Sequence, residues 1–127
     1  MGKNSRDDKI KWLSEPEEHD YPAALSYLSL HFDEETANKL VEKLKRTPIT
    51  VFKAKDIFRA SGLSLLGTSN SHVEKDKLKI ESGILLSPLL LVRDSKRGKV
   101  YIADGYHRLC AVYSYDEDVN VPCKIVG

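Results

Sequence analysis

Sulfur is scarce in this sequence: two cysteines, Cys110 and Cys123, and one methionine among 127 residues. Two cysteines without CxxC spacing exclude a disulfide framework and argue against a structural zinc site, so both are expected as reduced thiols. Lying in an apolar helix pattern and a closing strand, they should be buried as small hydrophobes. A long hydrophobic run is lacking as well. The longest, Ile84 to Val92, is broken by Ser87 and Pro88 and falls short of the roughly 20 apolar residues that span a bilayer, so no membrane segment is expected. Met1 to Lys11 is polar, without an apolar signal core, and Arg6 stands where a myristoylation signal carries Ser or Thr. A cytoplasmic location is the default that follows. An excess of one charge sign is also missing: 20 Lys+Arg against 19 Asp+Glu leave +1. Non-specific grip on nucleic acid grows with the number of phosphates neutralised, so a protein devoted to that task is disfavoured, whereas a local basic patch is not.

What is present, 41% hydrophobic and 31% charged residues, has the balance of one soluble globular domain, and the helices and strands expected along it make the class α+β. Residues 1–15 offer only Ile10, Trp12 and Leu13 as anchors, a mobile start with Trp12 able to dock on the body. A helix is expected between Pro16 and His31, with acidic residues at its positive end. Asp33 caps a second, in which Ala37, Leu40, Val41 and Leu44 fall at i, i+3, i+4 and i+7. Together these make residues 1–46 an N-terminal helical extension packed on a body of residues 47–127. In the body, Ile49–Lys53 reads as a strand, Lys55–Ser61 as a short helix, and Ser71 with Glu74 as a capping box opening a helix that Gly83 closes. Leu89–Arg93 and Lys99–Ala103 are strands joined as a hairpin, Tyr106–Tyr115 is a helix, and Val121–Val126 is a last strand with Pro122 at its start or at a sheet edge.

The informative stretch is Ile102-Ala103-Asp104-Gly105-Tyr106-His107-Arg108, where a strand turns directly into a helix. Gly105 permits φ > 0 and close approach of a ligand, and the first N–H groups of a helix suit an anion. Arg108 supplies a fork of donors for phosphate, His107 a proton donor near neutral pH, and Asp104 a carboxylate for a proton or a metal-bound oxygen. The same residues are equally consistent with a plain Asp-Gly turn, a helix cap and a structural ion pair.

Those residues, with Pro88-Leu89-Leu90-Leu91-Val92 before them and Val121-Pro122-Cys123-Lys124-Ile125-Val126 after them, resemble the ParB/sulfiredoxin superfamily over roughly Thr47 to Val126. The likeness is to its small single-domain bacterial ParB-like (nuclease-like) members of unassigned function, which also look similar across Ala54–Leu63 and Lys79–Gly83. The resemblance implies a small mixed sheet with flanking helices and a pocket over Gly105, Tyr106, His107 and Arg108. A nucleotide or phosphorylated small molecule, with Mg²⁺ as the accompanying ion, is the implied ligand. Asp104 and His107 are then the implied catalytic pair for phosphotransfer or nucleotide hydrolysis. Sulfiredoxins place their catalytic Cys where this chain has Tyr106, which argues against sulfinic-acid reduction. Free serine kinases of the superfamily have an Asp-Gly-His-His-Arg corner that Asp104, Gly105, His107 and Arg108 match, but their Glu has no counterpart in Ile57–Ser61. ParB partitioning proteins add a helix-turn-helix domain, for which no residues are seen after Gly127. A non-catalytic interaction protein and a nucleic-acid-binding or nuclease-like module are the alternatives.

Outside the corner, Arg59, in a basic segment with Lys53 and Lys55, is expected near the phosphates if the resemblance holds, and on a solvated face otherwise. Gly67–His72, with its small hydroxyl and amide groups before a helix N-terminus, is a second candidate anion site, although a plain connecting loop reads the same and is the favoured reading. His72 and His107 lack the HxxxH or HxH spacing of a metal pair. Lys75, Lys77 and Lys79, alternating with Glu74 and Asp76, read as a solvated helix face.

Overall fold

The computed structural model describes residues 9–67 and 69–127. Its elements are α1 (Asp20–Leu28), α2 (Glu34–Arg46), β1 (Thr50–Lys53), α3 (Ala54–Ser61), α4 (Ser71–Glu81), β2 (Leu89–Asp94), β3 (Lys99–Asp104), α5 (Tyr106–Tyr115) and β4 (Asn120–Val126). Four strands form one mixed sheet in the order β1-β4-β2-β3. β4 runs antiparallel to β1 and parallel to β2, and β2 runs antiparallel to β3. The α+β class expected from the sequence is what forms.

Strand alternation divides the core in two. Leu89, Leu91, Ile102, Val121 and Cys123 face α3, α4 and α5 on one side, where Ile57, Val73, Ile80, Leu109 and Val112 meet them. Leu90, Val92, Tyr101, Ala103 and Val126 face the other side, covered by Ala24 and Leu28 of α1 and Ala37, Leu40, Val41 and Leu44 of α2. A strand buried on both faces has no polar alternation, which is why β2 reads as the unbroken run Leu89-Leu90-Leu91-Val92.

The caps explain where the helices start. Asp33 accepts the Thr36 N–H at 2.7 Å, as the sequence suggests for α2. At α4 the cap is Asn70, not Ser71: its Oδ1 accepts from His72 N at 3.0 Å and Val73 N at 3.3 Å. Asn is as good a cap as Ser and sits one residue earlier, so the Ser71–Glu74 box does not form. Pro122 pairs with Val51 of β1, while pairing with β2 begins only at Cys123. Its missing N–H therefore costs no ladder bond on the β2 side. Ahead of the helices, Trp12 bridges Leu86, with Leu13 N donating to Leu86 O and Leu86 N to Lys11 O, both at 2.8 Å. No helix among the described residues is long and apolar enough to cross a membrane.

Two results follow from this packing. Leu44 is wholly buried and Leu40 nearly so, so Leu44→Ala should lower unfolding free energy by about 2–5 kcal/mol, with Leu40→Ala near the low end. Urea midpoints read this directly, and an unchanged midpoint would show α2 to be detachable from the sheet. Cys110 and Cys123 are also wholly buried; burial raises both thiols, Cys123 to about 12. Thiolate is the reactive form, so maleimide should label neither in the native protein within minutes, and both in urea.

Candidate functional site

The site is built where β3 ends. Gly105 sits between Asp104 and α5 with φ 108°, and a Cβ there would lie 2.7 Å from Leu89 Cγ and 2.9 Å from Arg108 Nη2. Only glycine fits, on both backbone and packing grounds. The first bond of the α5 ladder is Leu109 N to Gly105 O at 2.9 Å, and no side chain caps the helix. The N–H groups of Tyr106, His107 and Arg108 thus precede the ladder at the positive pole of the helix.

A second helix reaches the same place. The His72 and His107 rings lie 4.8 Å apart at a tilt of 37°, and at the far ends Tyr115 Oη donates to Glu81 Oε2 at 3.2 Å. α4 and α5 therefore run in the same general direction, and their N-terminal ends meet. Between them is a polar cleft of about 180 Å³, lined by His72, Lys75, Asp76 and Lys79 of α4 and by Asp104, Gly105, Tyr106, His107 and Arg108. The Tyr106 hydroxyl is spent on Ser64 O, so this side chain ties the loop before α4 to α5.

The floor is an ion cluster. Arg108 Nη2 donates to Asp104 Oδ2 at 3.1 Å and to Pro88 O at 3.5 Å, and lies 3.8 Å from Asp20 Oδ2. Asp20 belongs to α1, is nearly inaccessible, and accepts a hydrogen bond from Ser87 Oγ. Arg108 Nε is buried and has no hydrogen-bond partner among the described residues. Burial pushes the Asp104 carboxyl up, with Asp20 adding to the rise and Arg108 opposing it. Burial likewise raises Asp76, against the pull of Lys79 and Arg108. His107 moves the other way: burial lowers it first, then the neighbouring His72, while Asp76 opposes.

Asp104, Gly105, Tyr106, His107 and Arg108 thus share one cleft. Arg59 does not line it: its side chain is 81% exposed and pairs with Asp56 at 3.7 Å on its own helix. The other two cations of that basic segment turn to Asp118, Lys55 at 2.7 Å and Lys53 at 3.9 Å. In the loop before α4, Thr68 lies outside the described residues. Three cleft residues, Lys75, Asp76 and Lys79, carry no individual site signal in the sequence, His72 carries one only as the end of a possible anion loop, and Asp20, which lies behind Arg108 and does not line the cleft, carries none. A usable signal existed in α4, because His72, Lys75, Asp76 and Lys79 fall at i, i+3, i+4 and i+7, one helical stripe beside the buried stripe of Val73 and Ile80. A separate recess of about 230 Å³, lined by Phe52, Ile57, Leu91, Val100 and Ile125 among others, is apolar and contains none of the corner residues.

Among the described residues no three His, Cys, Asp or Glu side chains are grouped to hold a metal ion. No family model matches the sequence, and neither a curated protein nor a solved structure matches it.

Proposed function

We propose that this chain is a ParB/sulfiredoxin-like domain whose cleft binds the phosphate of a nucleotide or phosphorylated small molecule. The observation that carries this reading is the convergence of Lys75, Lys79 and His72 from α4 on the uncapped start of α5 beside Arg108. Cations, a helix pole and free N–H groups act together on an anion there. The buried Arg108 Nε is a donor in need of an acceptor, and a phosphate oxygen supplies one. His107, whose pKa is lowered by burial and then by His72, is the group to gain a proton as negative charge arrives beside it. Asp104, made more basic by burial, is the group placed to take a proton from an attacking hydroxyl, so phosphotransfer or hydrolysis would run through this carboxyl. Mg²⁺ commonly binds through one or two carboxylates with phosphates completing its shell. Asp104 and Asp76 are the cleft carboxylates that would face an ion arriving with a nucleotide.

A thermal-shift panel of nucleotides, with and without Mg²⁺, tests the reading: a ligand at one hundred times its Kd should stabilise by roughly 2.7 kcal/mol. Calorimetry at about pH 6.5 in buffers of different ionisation enthalpy should then show proton uptake on binding that His107→Gln loses. If no phosphate compound stabilises the protein, the non-catalytic interaction role replaces this one.

A further inference from the structure

We infer that Asp20, which α1 sets against Arg108 behind the cleft, sets the anion affinity of the cleft by competing with the ligand for Arg108. This rests on the phosphate reading above. The Asp20 side chain is only 3% exposed and lies 3.8 Å from Arg108 Nη2. Its place is fixed from its own segment: Glu17 N donates to Ser87 Oγ at 3.1 Å, and Ser87 Oγ donates to Asp20 Oδ2.

Orientation of Arg108 does not require Asp20. Asp104, four residues earlier on the chain, already holds Nη2 at 3.1 Å, and Pro88 O adds a third acceptor. One guanidinium nitrogen thus faces three acceptors while the buried Nε faces none. The charged groups around the Asp20 carboxyl are Arg108, Asp104 and His19, whose Nε2 is 3.4 Å from Oδ1 and whose Nδ1 faces Glu17 at 3.5 Å. His19 is mostly exposed, so its contribution is screened. Two carboxyl groups therefore oppose one internal guanidinium, and an anion approaching Arg108 meets the second of them where screening is weak. The rise of Asp104 caused partly by Asp20 is the same repulsion seen from the other carboxyl.

The test uses the full chain with inorganic pyrophosphate as probe, titrated calorimetrically at pH 7 and fixed salt. Asp20→Asn keeps the shape and removes the charge, so it should bind about tenfold more tightly than the wild type. Ser87→Ala should do the reverse, weakening binding, because Asp20 without its hydroxyl donor leans harder on Arg108. A purely structural Asp20 would shift both variants in one direction, through a common loss of order. The ¹⁵Nε resonance of Arg108 should move on adding pyrophosphate to the wild type. If the wild type binds and its resonance moves, but Asp20→Asn binds no tighter, the competition is overturned while the phosphate reading stands. Should Asp20→Asn not fold, an unchanged or higher affinity in Ser87→Ala overturns it. If no protein binds and no resonance moves, the phosphate reading falls and takes the competition with it.

Discussion

Replacing Arg108 with alanine should weaken phosphate or nucleotide binding by about tenfold or more, since a charged hydrogen bond contributes ~1.5–3 kcal/mol. The sequence alone suggests that this loss leaves the fold intact. The structure adds a stability cost to expect, because Arg108, 17% exposed, is the cation set against both Asp104 and Asp20. Removing the cation from this cluster leaves charge uncompensated, with about 3–5 kcal/mol as the upper limit set by fully buried pairs. The pH dependence identifies the cause. A carboxyl whose folded pKa lies above its ordinary unfolded value, as Asp104's does, binds more protons folded than unfolded, so stability falls as pH rises through that interval. Without Arg108 to oppose the rise, the interval widens. The urea midpoint of Arg108→Ala should therefore sit far below wild type at pH 7 and approach it near pH 4. A constant deficit across that range would mean lost packing rather than stranded charge.

Gly105→Ala should be comparably severe. An alanine at φ 108° is strained by about 1–3 kcal/mol, and its Cβ would press on Leu89 Cγ at 2.7 Å and Arg108 Nη2 at 2.9 Å, with overpacking adding typically about 1–3 kcal/mol. Leu89 is wholly buried and cannot retreat cheaply. The total, about 2–6 kcal/mol, is readable from urea unfolding. Pyrophosphate affinity should drop as well, because the contact displaces the guanidinium. A variant that unfolds at the wild-type urea concentration would show that the β3–α5 turn relaxes freely.

The contrast between α5 and α4 shows what the sequence can carry. Tyr106–Tyr115 and the Asp33-capped α2 are readable because their signals are local: a glycine break, a cap, an apolar period. The corner is likewise readable because Asp104, Gly105, His107 and Arg108 are neighbours along the chain. The solvated face expected of the α4 lysines is consistent with the exposure of Lys75 and the partial exposure of Lys79; that these two also line a cleft is set by the packing of α4 beside α5, which alternating charges do not signal. Asp20 is farther out of reach. An acidic residue in the first turn of a helix is expected for its dipole alone, and nothing local tells that its carboxyl is buried 88 positions before the arginine it meets. The sequence does not single out the Asn70 cap for a smaller reason: two good cap residues are adjacent, and only backbone geometry selects between them.

The place of β4 also bears on how the molecule is made. It comes after every other element in chain order yet lies between β1 and β2, and its Lys124 reaches back to Lys45 O at 3.2 Å and Glu15 Oε1 at 3.0 Å. During synthesis β1, with Val51 and Phe52, waits as an unpaired strand until residues 120–126 leave the ribosome, and the α2 terminus waits for the same lysine. Closing such distant contacts is slow and leaves sticky edges open meanwhile. Once β4 is in place β1 is paired on one side only, so the long-range β1–β4 contact is the step on which completion of the sheet depends.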